Sequence, residues 1–468
     1  MTRYTFTVLE EQRAALHHSL FRDDSEYAAL ILCGRSLTVD PWSGQPEERF
    51  LAHEVIEVDP SAFLERTPIS LTWATTPFFN LLKRAEARNF AVAAIHSHPK
   101  GPLRFSPADD IADKELFEIA FNRLDSPRPH LALVMDQRGD LVGRAYGPDL
   151  KPHALDMIRI IGGRWRFAYP DQENSTVPEF DRQVRAFGKQ STIELGQLRV
   201  GIVGCGGMGS AIAMLLVRIG VRRLVLLDPD RVDETNLNRL HGSTRVDANL
   251  GRLKVDVVGK AIANIGLPIS VLRYPDHVDD KQTRDVVRSC DVLFGCTDDH
   301  LGRNFLNRLA HFYLIPVVDM GLLIEPKKAG GYDVFDGRVT VVQPGYPCQV
   351  CRGLINPDFM VAEGLQRRDP ELYKQHRRAG YVVGAPDPSP VVVTFTTEVA
   401  AMAVNEFFQR LNGFRGEAGS VSERVRRFDE VKDFDTLPAG KSRDGCPLCK
   451  RRRYDGRGDM ERFLDMAP

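Results

Sequence analysis

The stretch Leu198-Arg199-Val200-Gly201-Ile202-Val203-Gly204-Cys205-Gly206-Gly207-Met208-Gly209-Ser210 decides how the second half of the chain folds. Its first six residues suit a buried strand. A G-x-G-x-x-G turn follows, and Met208 to Ile219 continues with helical periodicity. A second apolar run, Leu224 to Leu227, completes a β-α-β opening. Gly204, Gly206, Gly207 and Gly209 allow a tight turn and close approach of the backbone to a phosphate, whose charge the helix N-terminus favours. Asp228 ends the second strand at a distance suited to a ribose hydroxyl. On these features alone an NAD-linked oxidoreductase is a serious rival to an ATP-using enzyme. Val292 to Cys296 and Val317 to Asp319 read as further parallel strands, so the expected fold is α/β, Rossmann-like, with a mostly parallel sheet.

Working outward, 468 residues leave room for two or three domains. Residues 1–148 read as one α/β unit, with apolar strands at Tyr27 to Cys33, Phe90 to Ile95 and Leu131 to Met135. Helical patterns fill Thr76 to Arg88 and Pro107 to Leu124. Residues 149–175 carry prolines and a polar run, Asp171 to Ser175, and are the expected linker, although Met157 to Phe167 could add a strand to either side. Residues 176–468 form the second domain. A formal net charge of −1 gives no reason to expect nucleic acid or an anionic membrane as partner. The start lacks a signal core, and no apolar run approaches the roughly 20 residues of a spanning helix. A cytoplasmic location is expected.

In the first unit, His96-Ser97-His98-Pro99 follows an apolar strand. Residues at i and i+2 share a strand face, so both imidazoles can meet one ion. Ser106-Pro107-Ala108-Asp109 then reads as a helix start with Ser at the cap and Asp at the third position. Plain capping accounts for Ser106 and Asp109 taken singly. The combined His-x-His-x(7)-Ser-x-x-Asp pattern points to a hydrolytic metal site.

That pattern resembles the JAMM (MPN+) zinc metalloprotease family, whose further requirement, a Glu opening an early apolar segment, is met by Glu26 before Tyr27 to Gly34. The resemblance implies an N-terminal JAMM/MPN domain in which His96, His98 and Asp109 hold a catalytic zinc. Zinc lowers the pKa of a bound water to about 7. Glu26 would shuttle its proton, and Ser106 would hydrogen-bond the oxyanion.

In the second unit, the segment Asp228 to Arg239, reading DPDRVDETNLNR, resembles the ThiF/MoeB/ubiquitin-activating family. Gly251 to Lys254, Cys296-Thr297-Asp298 and the upstream Phe180 to Gly188 match its other motifs. The resemblance implies adenylation of a protein carboxylate by ATP. Arg239, Lys254 and Mg2+ would offset phosphate charge, Asp298 would hold the Mg2+, and Asn236 would position the phosphates. The arginine matching Arg182 reaches the neighbouring subunit's nucleotide in that family, which implies a homodimer. An NAD-linked enzyme needs no such cluster.

Of eight cysteines, Cys348, Cys351, Cys446 and Cys449 form two Cys-x-x-Cys pairs, the ligand set of a closed structural zinc site. Cys33, Cys205, Cys290 and Cys296 are expected to be structural. Many relatives carry a reactive cysteine between the two pairs, but residues 352–445 contain none. The adenylate would then pass straight to a partner's nucleophile, such as a conjugating-enzyme-like acceptor, or a hydroxyl such as Ser389 would form an oxyester. The resulting expectation is a two-headed enzyme. One head adenylates the terminal glycine of a ubiquitin-like β-grasp protein, and the other is a deubiquitinase-like isopeptidase that trims or removes it. Activation of a sulfur-carrier protein is the alternative. A non-catalytic regulatory binder is a third reading that the complete motifs disfavour.

Overall fold

The computed structural model describes residues 2–124, 126–169, 178–327, 330–381, 390–431, 435–438 and 440–463. The chain divides into two compact units. The first comprises Met1–Gln172 with Phe312–Leu314 and Tyr454–Pro468; the second comprises Glu173–His311 and Ile315–Arg453.

In chain order the first unit contains β1 (Arg3–Leu9), α1 (Glu10–Leu20), β2 (Ala28–Val39), β3 (Pro46–Glu57), β4 (Phe63–Thr67), β5 (Ser70–Trp73), α2 (Thr76–Glu86) and β6 (Ala91–His98). After these come α3 (Pro107–Arg123), β7 (His130–Asp136), β8 (Leu141–Tyr146), β9 (Pro152–Ala154), β10 (Met157–Ile161) and β11 (Trp165–Ala168). Nine strands form one mixed sheet in the order β11-β10-β1-β3-β2-β6-β7-β8-β9, and β4 and β5 make a separate hairpin. Strand alternation divides the core. Ile31, Cys33, Ala93 and Ile95 pack with Leu16 and Leu20 of α1 on one face. Leu30, Leu32 and Val92 pack with Phe78, Leu82 and Phe117 of α2 and α3 on the other.

Two boundary expectations change. Much of 149–175 is not linker: β10 pairs in parallel with β1 and antiparallel with β11. The apolar run Met157 to Ile161 gains a ladder on both edges, which outweighs the local proline and polar composition. Residues 170–177 lie outside the described set. The second domain also does not run unbroken to the end, because the segment after Arg453 packs on the first unit. There Gly458 bridges Arg35, Asp459 N donates to Arg35 O at 2.7 Å, and Leu37 N donates to Asp459 Oδ2 at 2.7 Å.

The second unit contains α4 (Asp181–Phe187), α5 (Lys189–Gln197), β12 (Arg199–Val203), α6 (Gly207–Ile219), β13 (Arg223–Leu227), α7 (Arg245–Asn249), α8 (Lys254–Ala263) and β14 (Ser270–Tyr274). It continues with α9 (Lys281–Ser289), β15 (Val292–Gly295), α10 (His300–Phe312), β16 (Val317–Pro326), β17 (Tyr332–Val342), α11 (Pro357–Arg368), α12 (Pro370–Arg378), α13 (Val393–Asn412), β18 (Glu423–Arg427) and β19 (Asp435–Thr436). The sheet order is β14-β13-β12-β15-β16-β17-β18-β19. β12 to β16 pair in parallel, as the glycine-turn motif implies. β16 runs past the expected Asp319 to Pro326 because its second half pairs antiparallel with β17. Among the described residues no helix is long and apolar enough to cross a membrane.

Two stability predictions follow from this packing. A Cβ at Gly34 would collide with the carbonyl oxygen of Gly456. Gly34→Ala should therefore cost about 1–3 kcal/mol and raise amide exchange at 455–459, read by hydrogen–deuterium exchange; unchanged exchange there would contradict the packing. His130 is fully buried, accepts from Val92 N through Nδ1 at 3.3 Å, and its Nε2 has no partner among the described residues. Burial pushes it down to about 3 from the ordinary 6.5. The folded state thus keeps His130 neutral, so its contribution is intact above about pH 6.5 and is lost as pH falls toward 3. Thermal melts should show the first unit losing up to about 1.4 kcal/mol per pH unit in that window, with a shallower slope in His130→Asn.

Candidate functional site

The first site lies where β6 meets α3. Val92, Ala94, His96 and His98 alternate onto the sheet face that α3 covers, so both imidazoles point toward the start of that helix. Their Nε2 atoms are 3.1 Å apart. Asp109, at the third position of α3, sets Oδ1 3.3 Å from His96 Nε2 and Oδ2 3.7 Å from His98 Nε2. One donor atom from each residue falls within a sphere of mutual distances under 4.8 Å. His98 Nδ1 is 3.0 Å from Pro102 O, which fixes the ring and leaves Nε2 facing the cluster. Two imidazoles and a carboxylate, leaving a position open, are a donor set that fits a catalytic zinc.

Capping and clustering coexist at the helix start. Asp109 N donates to Ser106 Oγ at 3.2 Å, and Ser106 N donates to Asp109 Oδ2 at 2.6 Å. Ser106 accepts in that bond, so it leaves the hydroxyl proton available to a ligand. Glu26 comes from the other side. β2 and β6 pair antiparallel with Ala28 opposite His96, which carries Glu26 toward His98. Its Oε1 lies 4.0 Å from His98 Nε2, and its side chain is buried.

The electrostatics match this arrangement. Burial raises the Glu26 carboxyl above its ordinary range, with His96 and His98 pulling it partly back. A hydrogen bond with Asp109 raises His98. Burial works against the Asp109 carboxylate, but bonds from His96 and His98 hold it far below the ordinary range. The cluster opens into a cleft of about 770 Å3, walled by the β4–β5 turn at Ile69 and by Phe105. Behind Phe105, Arg144 stacks 3.8 Å from the ring centre and pairs with Asp113 at 2.7 Å and with Asp110. Sequence reasoning missed this support; its one signal was an arginine two places from Tyr146 on a mostly apolar strand.

The second site is the crevice at the C-terminal ends of β12, β13, β15 and β16, a cleft of about 880 Å3. Gly204 has φ +91°, and a Cβ there would sit 2.7 Å from Cys296 O. Gly209 lies under the turn, where a Cβ would collide with Gly204 O. Gly204, Gly206 and Gly207 line the cleft with Asp228, Arg239, Lys254 and Asp298. Asp228 accepts from Cys205 N at 2.6 Å and Asp230 N at 2.8 Å, tying the turn to β13. Burial raises its carboxyl while Lys254 draws it down. Burial opposes the Lys254 charge, but Asp228 and Asp230 raise it overall, and Nζ pairs with Asp230 Oδ2 at 2.7 Å. Arg239 packs beside Gly207 and donates to Asn238 Oδ1 at 3.2 Å.

One expected residue stands elsewhere. Asn236 is buried outside the cleft lining; its Nδ2 donates to Asp233 Oδ1 at 3.0 Å, and its Oδ1 has no partner among the described residues. Arg182, expected to reach a second copy's nucleotide, is exposed on α4. Cys205 and Cys290 are buried as expected, but Cys296 lines the cleft. Missed by sequence reasoning was Arg303, whose Nε is 3.2 Å from the fully buried Asp319 and whose Nη2 donates to Thr297 O at 3.0 Å. The available signal was a cation on α10 beside the apolar run Phe305, Leu306 and Leu309, although Asn307 and His311 are buried polar residues of the same helix. Residues 382–389, which include Ser389, lie outside the described set; the segment before them forms α11 and α12.

Cys348, Cys351, Cys446 and Cys449 converge on one point, with Cys348 and Cys446 sulfurs 3.8 Å apart and Cys351 and Cys449 sulfurs 3.5 Å apart. Four thiolates and no open position fit a structural zinc.

The ThiF family model matches residues 180–448, and the model for prokaryotic homologs of the JAB domain matches residues 9–143. The chain is similar to the SAMP-activating enzyme E1 of Haloferax volcanii, 29% identical over 269 residues that cover 56% of this chain and 84% of that protein. It is similar to the molybdopterin-synthase adenylyltransferase of Escherichia coli, 32% identical over 37% of this chain and 66% of that protein. A match to adenylyltransferase and sulfurtransferase UBA4 of Meyerozyma guilliermondii, 34% identical, covers 29% of this chain and only 32% of that protein. Among solved structures, E. coli MccB with ATP aligns at 16% identity and a TM-score of 0.45, over 58% of this chain and 75% of that one.

Metal content separates the two clusters. Purified chain should carry two zinc ions by mass spectrometry of the metal, His98→Ala one, and Cys348→Ser one. Loss of both ions in either single variant would contradict two independent sites.

Proposed function

The chain belongs to the ThiF family, with a prokaryotic JAB-type domain ahead of it, and from that premise we propose a bifunctional enzyme of a ubiquitin-like protein pathway. The second unit adenylates the terminal glycine of a β-grasp carrier, and the first cleaves that carrier from a precursor or conjugate. The observation that carries this reading is the joint lining of one crevice by the glycine turn, Arg239, Lys254 and Asp298.

Adenylation joins a carboxylate oxygen to the α-phosphorus of ATP and breaks the bond to pyrophosphate, so two anions must be brought together. Arg239 and Lys254 offset that charge from fixed positions, and the helix N-terminus at Gly207 faces the phosphates. Asp298 supplies the carboxylate for Mg2+. Arg182 is assigned to the nucleotide of a second copy, in a homodimer, which fits its exposure. Names of the relatives support the substrate class: a SAMP-activating E1 and a molybdopterin-synthase adenylyltransferase.

In the first unit His96, His98 and Asp109 would hold zinc, which when bound supplies the Lewis acidity that activates water and polarises the scissile carbonyl. Glu26, with its raised carboxyl, takes the water proton and delivers it to the departing amine. Ser106 donates its hydroxyl proton to the developing oxyanion.

A second reading, activation of a sulfur carrier, is favoured by the absence of any cysteine between Cys351 and Cys446. Without a thiol there, the carrier's acyl group passes from the adenylate directly to an acceptor's nucleophile, on a conjugating-enzyme-like protein or a sulfur donor, as the bond to AMP breaks and AMP leaves. ATP–pyrophosphate exchange with a cognate carrier should fall at least about a hundredfold in Arg239→Ala. Glu26→Ala should leave exchange intact while abolishing carrier cleavage. Exchange unaffected by Arg239→Ala would refute the adenylation site.

A further inference from the structure

Arg338 stands half-buried on β17 and lines the same cleft as the glycine turn. Among the described residues its guanidinium makes no ion pair or hydrogen bond, and its Nε is buried without an acceptor. Burial opposes its charge. The acids that support it, Asp319 and Glu423, are engaged by Arg303 and Arg352. Its strand partner Val425 lines the cleft with it, as do Leu323, Val334 and Asp336, the last of these two residues back on the same face of β17. A half-buried cation with no ion pair among the described residues, and with the two acids that support it committed elsewhere, is a site for an anion.

Strand register says which anion it meets. Val203 is level with Gly295, and Gly295 with Asp319. The glycine turn and the Thr297–Asp298 pair therefore leave the sheet at one height. Gly321, two residues beyond Asp319, pairs with Arg338 at about that height. Gly321 also leaves room for the guanidinium, since a Cβ there would sit 3.3 Å from Nη2. β17 is two strands from β15, or about 10 Å at the usual strand spacing. An extended chain advances about 3.3 Å per residue, so Arg338 stands about three residues from a carboxylate placed beside Asp298.

We propose that Arg338 is a specificity residue for the incoming tail, pairing with a carboxylate side chain three residues before the residue that is adenylated. The assignment rests on the adenylation reading above. An aspartate or glutamate at the fourth position from the end is accepted, and a lysine there is repelled.

The test uses the full chain with Mg2+ and a non-hydrolysable ATP analogue. Fluorescein-labelled ten-residue peptides end in Gly-Gly and carry Asp, Ala or Lys at the fourth position from the end; binding is read by anisotropy. The natural chain should favour the Asp peptide over the Lys peptide by about tenfold or more. Arg338→Glu should reverse that order, a gain for the Lys peptide that a misfolded variant could not give, and Arg338→Ala should level the three. Equal binding by the natural chain, no binding of any peptide, or an Asp preference that survives Arg338→Glu would overturn the assignment. Binding of the ATP analogue, followed in the same samples, separates the two failures. If the analogue binds, only the Arg338 role falls; if it does not, the adenylation reading falls with it.

Discussion

The pairing of Ala28 with His96 across the β2–β6 ladder sets the geometry of the first site. A shift of one residue would turn His96 and His98 to the opposite face, toward α1, and remove them from Asp109. The ladder is held by more than its own bonds. Ser97 N donates to Tyr27 O at 3.0 Å, and Tyr27 N donates to Ser97 Oγ at 3.0 Å. The residue between the histidines thus locks the register that aims them. Glu26, one position before Tyr27, has its own N–H bound to Thr67 O at 2.9 Å. The carboxylate is delivered by backbone, with little left to side-chain freedom.

The second site depends on a comparable constraint. Parallel pairing of β12, β15 and β16 brings three strand ends to one edge, and the backbone groups released there face the crevice. The Asp319–Arg303 pair lies beneath that edge. It is buried, and Arg303 holds the Thr297 carbonyl beside Asp298. Its value is positional, because ion pairs this deep are weak sources of net stability. The antiparallel extension through β17 and β18 carries the crevice beyond the glycine turn, with Val334, Arg338 and Val425 in its lining.

Much of this was legible in the chain because the informative patterns are local. His96, Ser97 and His98 alternate on one strand, Ser106 and Asp109 share one helical turn, and the glycines from 204 to 209 sit in one loop. What escaped reading depends on pairings across long separations. Gly34 meets Gly456 and Arg35 meets Gly458, more than four hundred residues apart. Met157 to Phe167 was legible as a possible strand, but not which side it joins, because the partner of β10, β1, lies about 150 residues earlier. Arg144, Arg303 and Arg338 carry no motif. Their roles come from what tertiary structure sets beside them: Asp113, Asp319 and an open cleft.

The central claim is that His96, His98 and Asp109 grip one ion while Glu26 stands just outside its ligand shell. A crystal structure of the zinc-loaded chain, with anomalous diffraction measured at the zinc edge, tests this directly. The account predicts a peak about 2.0–2.2 Å from both Nε2 atoms and an Asp109 oxygen, with the Glu26 carboxylate beyond bonding distance. A structure with the imidazoles turned apart, or with Glu26 bound to the metal, would contradict it.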